Sequence, residues 1–335
     1  MMIRNYFKNF LYSIIIIIFI TLILFIISEI VGRAYSLFVK KNLCAKYLNI
    51  EKYESVFHLE VGYLPLPGKK IGCFGENYTI NENKLREYPN FNQNNSDTLI
   101  VGDSFGFGDE VSDNETISYY LNKNYKIKTI NAAVYGYGLD QALLRAKLLS
   151  DEIRFKNILL IIAPGGYLRT NITERNGIAK PYFINDGLNL KLVKPKKKNF
   201  KFSSRSRIVE KSLILNYIAQ RLNVPLVVKA KINQNDPLEI GCKIIDHFNK
   251  YFDEKKINLK VVLYRDASEI IHKNLNNLKK SDEFLNCLKN NKVKYLDTLP
   301  ILNKNLNKKL YIKETFGHPT KHSNILVSDF IASNF

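Results

Sequence analysis

One stretch of the chain, Thr98–Gly106, constrains its fold more than any other. Within it, the apolar run Thr98–Val101 leads within three residues to a glycine-flanked serine, Ser104. Short apolar runs of this kind are typical of buried strands in a parallel sheet. A serine just past the carboxyl end of such a strand lies at the sheet edge, where N–H groups of the next turn can receive an oxyanion. The pattern predicts a parallel sheet with Ser104 as a candidate nucleophile.

From Asp97 onward, short apolar runs alternate with longer amphipathic stretches. The runs have the length of buried strands, and the stretches are long enough to be crossover helices. This alternation predicts an α/β fold, a doubly wound parallel sheet with helices on both faces. The predicted strands are Thr98–Val101, Ile127–Asn131, Ile158–Ala163, Leu259–Tyr264 and Val293–Leu296, and the predicted helices are Asp140–Glu152, Arg207–Leu222, Leu238–Lys255 and Glu269–Lys280.

The segment Phe10–Ser28 contains no charged residue and consists largely of Ile, Leu and Phe. As a helix it is long enough to cross the ~30 Å hydrocarbon layer, which needs about 20 residues. A signal peptide would have an apolar region of only about 7–15 residues and a small-residue cleavage site, for which Gly32-Arg33-Ala34 is poor. The pattern predicts one transmembrane anchor. Basic residues flank both ends, so charge alone leaves its orientation open.

Composition divides the chain into three predicted parts. Residues 1–32 form the anchor, residues 33–96 a connector without helical periodicity that packs on the domain, and residues 97–335 the alternating domain. A chain of 335 residues accommodates one membrane segment and one ordinary domain better than two full domains. A basic insertion at about 170–207 lies between the third and fourth predicted strands.

Lysine and arginine together exceed aspartate and glutamate by 19. Such an excess can attract nucleic acid, anionic lipid or phosphorylated glycan. No nucleic-acid-binding motif accompanies it, so nucleic acid is not an expected partner. Lysine occurs together with asparagine and isoleucine, which favours biased base composition of the gene as the source. The basic insertion fits a solvated loop, or else a surface for an anionic polymer or lipid headgroup.

Metal and cofactor motifs are missing from the sequence. There is no Gly-Lys-Ser/Thr phosphate loop and no His-Glu-x-x-His pattern, and the cysteines form no Cys-x-x-Cys pair. We therefore expect neither a metal nor an organic cofactor. Disulfides and buried free thiols both remain open for Cys44, Cys73, Cys242 and Cys287.

Three blocks of the sequence occur in the order of one known family. Gly102-Asp103-Ser104, Asn131–Gly136 and His318-Pro319 together resemble the SGNH (GDSL-type) hydrolases of the membrane-anchored bacterial type. The resemblance covers roughly residues 78 to 335. It implies a flavodoxin-like sheet of about five strands in the order 2-1-3-4-5. It also favours an N-terminus inside the cell and a globular domain exported to the periplasmic or extracellular side.

The resemblance implies a role for each block. Ser104 would be the nucleophile, and His318, on a turn before the last predicted helix, would be the base that takes its proton. The N–H groups of Ser104 and Gly136 would form the oxyanion hole, where a glycine leaves room for the substrate. The rival base is His322, four residues further on.

Two departures from the family pattern affect this site. The third block usually supplies an asparagine in Gly-x-Asn-Asp, whereas the third predicted strand here is followed by Pro164-Gly165-Gly166, which leaves Asn171 as the candidate donor. The last block usually has an aspartate three residues before the histidine, and this chain has Thr315 there. The adjacent Glu314 is the candidate acid, and a Ser-His dyad oriented by Thr315 or a backbone carbonyl fits equally well. Losing such a group lowers turnover by orders of magnitude without abolishing it.

The Gly-x-Ser-x-Gly pattern around Ser104 also fits the nucleophile elbow of α/β-hydrolases. That elbow follows several strands of its sheet, whereas Ser104 follows the first predicted strand. Three acids close to the serine, Asp109, Glu110 and Asp113, are ascribed to a helix start, whose dipole favours negative charge.

These features predict a membrane-anchored serine esterase or acyltransferase of SGNH type. Its expected substrate is an ester, O-acetyl or another short acyl group, of an envelope glycan or lipid. Water as acceptor gives an esterase and a sugar hydroxyl gives a transferase. The alternative, motivated by the two departures, is a catalytically inactive SGNH-fold module that binds glycan or assists envelope assembly. A third hypothesis places the domain in the cytoplasm, with phosphate-rich partners at the basic insertion.

Overall fold

The computed structural model consists of two compact units, residues 1–49 with 200–228 and residues 50–199 with 229–335. Most of the predicted helix Arg207–Leu222, together with Cys44 and Cys73, lies outside the residues that the structure describes. The described residues are 2–38, 55–72, 75–93, 96–175, 178–186, 190–196, 212, 214–215, 218, 231–232, 236–312 and 317–334.

The first unit contains one long helix, α1 (Met2–Phe38). Its stretch Asn9–Ala34 has a mean hydropathy of 3.2, and its apolar side chains are exposed. The hydroxyls of Ser13 and Thr21 donate to carbonyls of the preceding turn at 3.0 and 2.7 Å, so they need no water in an apolar layer. The helix is long and apolar enough to cross a membrane, and a signal sequence shares these properties.

The second unit begins with two antiparallel strand pairs that pack on the main domain. Two contacts carry this packing: the Tyr63 hydroxyl donates to the Tyr135 carbonyl at 2.8 Å, and Gln141 Nε2 donates to the Val61 carbonyl at 2.8 Å. The strands are β1 (Ser55–His58), β2 (Gly62–Pro65), β3 (Gly68–Ile71) and β4 (Asn77–Ile80).

A parallel sheet of five strands forms the centre of this unit. Numbered along the chain, its strands lie in the order 2-1-3-4-5, which confirms the expected doubly wound topology. The first four strands in chain order are mostly buried, which explains their largely apolar runs, whereas the fifth lies at the edge and is partly exposed. In chain order the remaining strands are β5 (Thr98–Gly102), β6 (Thr129–Asn131), β7 (Asn157–Ile162), β8 (Ile172–Arg175), β9 (Ile178–Ala179), β10 (Tyr182–Asn185), β11 (Leu190–Val193), β12 (Lys231–Ile232), β13 (Asn258–Leu263) and β14 (Lys294–Asp297), of which β5, β6, β7, β13 and β14 form the central sheet.

Helices cover the sheet in two groups. The crossover helix between β5 and β6 packs against the last helix of the chain, while the helices of the later crossovers pack against one another in series. Right-handed crossovers place these two groups on opposite faces. The helices are α2 (Ser104–Phe107), α3 (Ile117–Tyr125), α4 (Leu139–Glu152), α5 (Pro164–Tyr167), α6 (Pro237–Glu254), α7 (Ala267–Ile270), α8 (Leu275–Asn290), α9 (Leu299–Asn303) and α10 (Lys321–Ala332), with 3₁₀ turns at Asp113–Glu115 and Leu168–Asn171.

The prediction of one continuous helix over Glu269–Lys280 is wrong. The structure divides this stretch between α7 and α8, because Asn274 caps the second helix by accepting a hydrogen bond from Asn277 N at 3.2 Å. Lys273, just before the cap, has a left-handed backbone with φ of 46°. Asparagine favours the cap position over a helix interior, so it ends one helix and starts another.

A disulfide joins Cys242 on α6 to Cys287 on α8, with Cα atoms 5.8 Å apart. The sequence left open whether these cysteines pair, because their 45-residue separation carries no signal of proximity. The fold brings the two cysteines together because it places these two crossover helices side by side on the sheet.

Candidate active site

Ser104 is positioned by the tight turn between β5 and α2. Gly102 ends the strand at a φ of 148°, and a Cβ there would lie 1.8 Å from the carbonyl oxygen of Ile161 on β7, so only glycine fits. Asp103 then caps α2 by accepting a hydrogen bond from Phe105 N at 3.0 Å. Ser104 is thus the first residue of a capped helical turn at the carboxyl edge of the sheet, and it is 7% exposed.

His318 reaches the same edge from the loop before α10. Gly317 precedes it with φ of 84°, and the His318 carbonyl accepts a hydrogen bond from Ile312 N at 3.0 Å. His318 Nε2 lies 3.0 Å from Ser104 Oγ, a hydrogen-bond distance between residues 214 positions apart. The rival histidine, His322, lies within α10, and among the described residues the imidazole that contacts Ser104 is that of His318.

Two acids that follow Ser104 in the sequence lie beside His318, and the role of Glu314 stays a prediction. Glu314 and Thr315 lie outside the described residues. Glu110 Oε2 lies 3.0 Å from His318 Nδ1. Asp109 Oδ2 lies 3.8 Å from His318 Nε2. Ligand atoms of these two acids and His318 all fall within 4.8 Å of one another, so this set could also hold a metal ion.

Two of the three acids ascribed to a helix start do not occupy one. Asp109 and Glu110 follow α2, whose C-cap is Gly108, and the next helical turn begins only at Asp113. The dipole explanation is therefore wrong for Asp109 and Glu110. Asp113 does begin a 3₁₀ turn, and it pairs with Arg86 at 3.2 Å.

Arg86 fixes the loop that presents Glu110. Its buried guanidinium donates to the carbonyls of Phe107, Gly108 and Val111 at 3.1, 2.5 and 2.6 Å. These carbonyls flank Glu110 on both sides and hold it at φ of 67°, a left-handed conformation that non-glycine residues rarely adopt. Burial lowers the pKa of Arg86, and Asp113 opposes that shift.

The second block lies against the turn that carries Ser104. Asn131 Nδ2 donates to the Gly106 carbonyl at 3.1 Å, and its Oδ1 accepts from Ala133 N at 3.1 Å. Gly136 adopts φ of 77° and is half-buried, which leaves its backbone accessible. The oxyanion roles of Ser104 and Gly136 remain predictions. Asn171 ends the 3₁₀ turn after α5, and its role as a donor also remains a prediction.

Two arginines that sequence reasoning missed lie beside the second block. Arg169 Nη1 donates to the Tyr137 carbonyl at 3.0 Å and lies 3.6 Å from Asp103 Oδ2. Arg175 Nη1 donates to the Gly136 carbonyl at 2.6 Å. The third block therefore places a guanidinium, instead of an asparagine, next to the residue that precedes Ser104.

Burial dominates the titration of the groups around this cationic side. It raises the pKa of Asp103, against the opposing effect of Arg169. Burial, reinforced by the neighbouring Arg175, lowers the pKa of Arg169 to about 10, so this guanidinium stays charged at neutral pH. Burial also raises the pKa of Tyr63 to about 12, which keeps its phenol protonated as the donor to Tyr135.

No protein-family profile matches this sequence, and no curated protein matches it. Solved structures do resemble the chain. One is a member of the lipolytic protein G-D-S-L family from Veillonella parvula, with 10% identity, a TM-score of 0.41, and coverage of 71% of this chain and 97% of that one. A psychrotrophic esterase from Pseudoalteromonas sp. has 12% identity, a TM-score of 0.40, and coverage of 71% and 97%. A catalytic mutant of an acetylxylan esterase from Geobacillus stearothermophilus has 9% identity, a TM-score of 0.41, and coverage of 72% and 94%.

The strand order, the serine after the first central strand and the histidine before the last helix define a fold of the SGNH hydrolase type. Sequence reasoning missed Glu110, Arg169 and Arg175 at its site. A signal existed for Glu110, because two consecutive acids directly after a nucleophile turn are unusual where no helix begins. The two arginines were missed because the chain contains many basic residues, among which these two do not stand out.

Proposed function

We propose that the chain is a membrane-anchored serine esterase or O-acyltransferase that acts on a short acyl ester of an envelope glycan or lipid. The observation that carries the proposal is the 3.0 Å contact between Ser104 Oγ and His318 Nε2. A serine hydroxyl becomes an effective nucleophile when a neighbouring base can take its proton, and this contact provides that base.

In the proposed reaction, Ser104 Oγ attacks the ester carbonyl carbon while His318 Nε2 takes the hydroxyl proton. The carbonyl oxygen becomes an oxyanion that the N–H groups of Ser104 and Gly136 stabilise. When the intermediate collapses, His318 returns the proton to the departing alcohol and the acyl group remains on Ser104. Water or a sugar hydroxyl then attacks the acyl-serine by the same route in reverse, which gives hydrolysis or transfer.

Glu110 takes the place of the missing last-block aspartate in this proposal. Its carboxylate lies beside His318 Nδ1, opposite the nitrogen that faces Ser104. A negative charge at that position stabilises the imidazolium that forms during attack and holds the ring in its productive orientation. Glu110 thus acts as a positioning residue through His318.

The helix α1 and the disulfide support the envelope part of the proposal. Asn9–Ala34 is apolar and long enough to anchor the chain in a membrane. A Cys242–Cys287 disulfide favours an oxidising compartment, such as the periplasm or the cell exterior. A phosphatase fused after Phe335 tests the topology: activity of the fusion supports export, and an inactive fusion with an active control anchor contradicts it.

A fluorophosphonate probe tests the chemistry on the full chain in detergent. We expect covalent labelling of the wild type, no labelling of Ser104→Ala, and full labelling of the control Ser333→Ala, which alters an exposed serine near the C-terminus. Wild type that stays unlabelled between about pH 6 and about pH 9, where a serine–histidine pair should react, would refute the hydrolase and favour the inactive glycan-binding or assembly module.

Esterase and transferase are separated by the fate of the acyl group. The assay supplies an acetyl ester as the donor and an oligosaccharide as a possible acceptor. If free acetate is the only product, the protein is an esterase. If acetylated oligosaccharide forms and less free acetate is released, the protein is a transferase. The same Ser104→Ala protein serves as the blank for both products.

A further inference from the structure

The two arginines beside the second block, Arg169 and Arg175, are both half-buried. The Arg169 side chain is 21% exposed, whereas that of its neighbour Asp103 is 1% exposed. A Cβ on Gly165 would lie 3.0 Å from Arg169 Nη2, and a Cβ on Gly136 would lie 3.5 Å from Arg175 Nη1. Both glycines are half-buried, and neither has a side chain that would cover the neighbouring guanidinium group.

Charge in this part of the molecule is unbalanced. The positive charge of Arg175 lowers the pKa of both Arg169 and Lys180. The carboxylates that oppose this are Asp103, which acts on Arg169, and Asp140, which acts on Lys180. Asp140 is taken by Lys180 in a buried pair. Asp103 already accepts hydrogen bonds from two backbone N–H groups and lies 3.6 Å from Arg169. One positive charge therefore has no carboxylate of its own within this group of residues.

The guanidinium groups also keep donors to spare. In the described part of the chain each makes one hydrogen bond, Arg169 to the Tyr137 carbonyl and Arg175 to the Gly136 carbonyl. These bonds orient the planar groups, and a guanidinium has five N–H donors in total. Oriented guanidinium groups with unused donors are the usual means of binding carboxylate or phosphate in proteins.

We propose that Arg169 and Arg175 form a subsite for an anionic group, a carboxylate or a phosphate, carried by the ester substrate. This inference rests on the proposed function and narrows its substrate class to esters with a negative charge close to the reacting carbonyl. The subsite lies beside Gly136, where the oxyanion would form.

Matched esters test the subsite through activity. The neutral substrate is 4-nitrophenyl valerate and the anionic one is mono-4-nitrophenyl glutarate, which has the same acyl length with a terminal carboxylate. We expect the ratio of kcat/KM, anionic over neutral, to fall about 10-fold in Arg169→Gln and in Arg175→Gln, mainly through KM. The exposed Arg154→Gln removes the same charge elsewhere and should leave the ratio unchanged. Equal losses for both esters would overturn the subsite, because they indicate loop support alone.

A binding measurement decides the question without turnover. Melting of the Ser104→Ala protein is followed with added glutarate and, separately, with added inorganic phosphate at millimolar concentration. We expect at least one anion to raise the Tm, and the rise to vanish when Arg169→Gln or Arg175→Gln is added but not with Arg154→Gln. The anion that acts identifies the group. No rise with either anion would overturn the subsite, whereas absent fluorophosphonate labelling together with a rise would refute only the hydrolase.

Discussion

The two sides of the site carry opposite charge and are built differently. On one side, Asp109 and Glu110 face His318, and the loop that carries them is held by the buried Arg86. On the other side, Arg169 and Arg175 hold the carbonyls of the Gly136 turn. In the proposed reaction, the acids lie next to His318, which becomes positive during attack, and the cations lie beside Gly136, where the oxyanion would form.

The site differs from the pattern that the sequence resembles and still has charges of both signs. An acid that follows Ser104 lies beside His318, and a guanidinium lies in the turn after β7, while the roles of Glu314 and Asn171 stay predictions. What matters for a reaction with separated charges is where the compensating charge lies. The sequence position that supplies it can change.

Removing the base gives the largest expected effect on the acidic side. His318→Ala should lower kcat about a thousand-fold or more with the anionic and the neutral ester alike, because Ser104 loses its proton acceptor. Steady-state kinetics of purified full-length protein measure it. His322→Ala, one turn away in α10, is the control, and a comparable loss there would reassign the base.

Glu110→Gln should lower kcat about 100-fold, since the imidazolium loses its anionic partner. The acid limb of the kcat/KM profile should also move to lower pH, because removal of a nearby negative charge makes His318 easier to deprotonate. Glu82→Gln, at an exposed position, is the control. A profile that falls in height without moving along the pH axis would assign Glu110 a purely structural role.

Gly136→Ala tests the cationic side at its backbone. The added Cβ would lie 2.9 Å from Tyr63 Oη, and alanine is strained at φ of 77°, so we expect activity to fall about 10-fold. Gly68→Ala also places a side chain at a positive φ, 122°, but its Cβ would meet nothing within 4 Å. Equal activity losses in the two variants would attribute the effect to backbone strain alone.

The smallest effect concerns the stability contributed by Asp103. Burial raises the pKa of this carboxyl in the folded protein above its ordinary value of 3.8. Between these two pKa values the unfolded chain has lost the proton and the folded protein still holds it, so wild-type stability falls as the pH rises. Relative to wild type, Asp103→Asn should therefore gain free energy of unfolding with rising pH, by at most about 1.4 kcal/mol for each pH unit. Urea unfolding between about pH 4 and about pH 7 measures the difference. A constant difference would mean that Arg169 cancels the cost of burial.

The sheet was predictable because buried parallel strands have short, mainly apolar sequences. Thr98–Val101 and Leu259–Tyr264 agree with the observed β5 and β13 to within a residue at each end. The division of Glu269–Lys280 into two helices was not predictable, since the amphipathic pattern continues across the break and only Asn274 marks it. Strand order came from the family resemblance, because apolar runs do not encode which strand lies beside which.

At the site, the serine and histidine were predictable from local context, a strand end and a turn before a helix. The partners of these residues were not. Glu110 reaches His318 because the loop after α2 folds back at a left-handed residue, and Arg169 reaches Asp103 because the turns that carry them follow two neighbouring strands, β7 and β5. Such contacts depend on side chains from separate elements meeting at one edge. A single sequence does not show which of these side chains become neighbours in the fold.

Arg86 holds the loop that carries Glu110, and this limits how far the chain can be shortened from its N-terminus. A recombinant fragment that starts at Asp97 would keep every strand of the central sheet together with Ser104 and His318. It would lack the guanidinium to which the carbonyls of Phe107 and Val111 are bound. A fragment for crystallisation or assay that omits α1 should therefore still include Arg86, and a start ahead of Ser55 also retains the two antiparallel strand pairs.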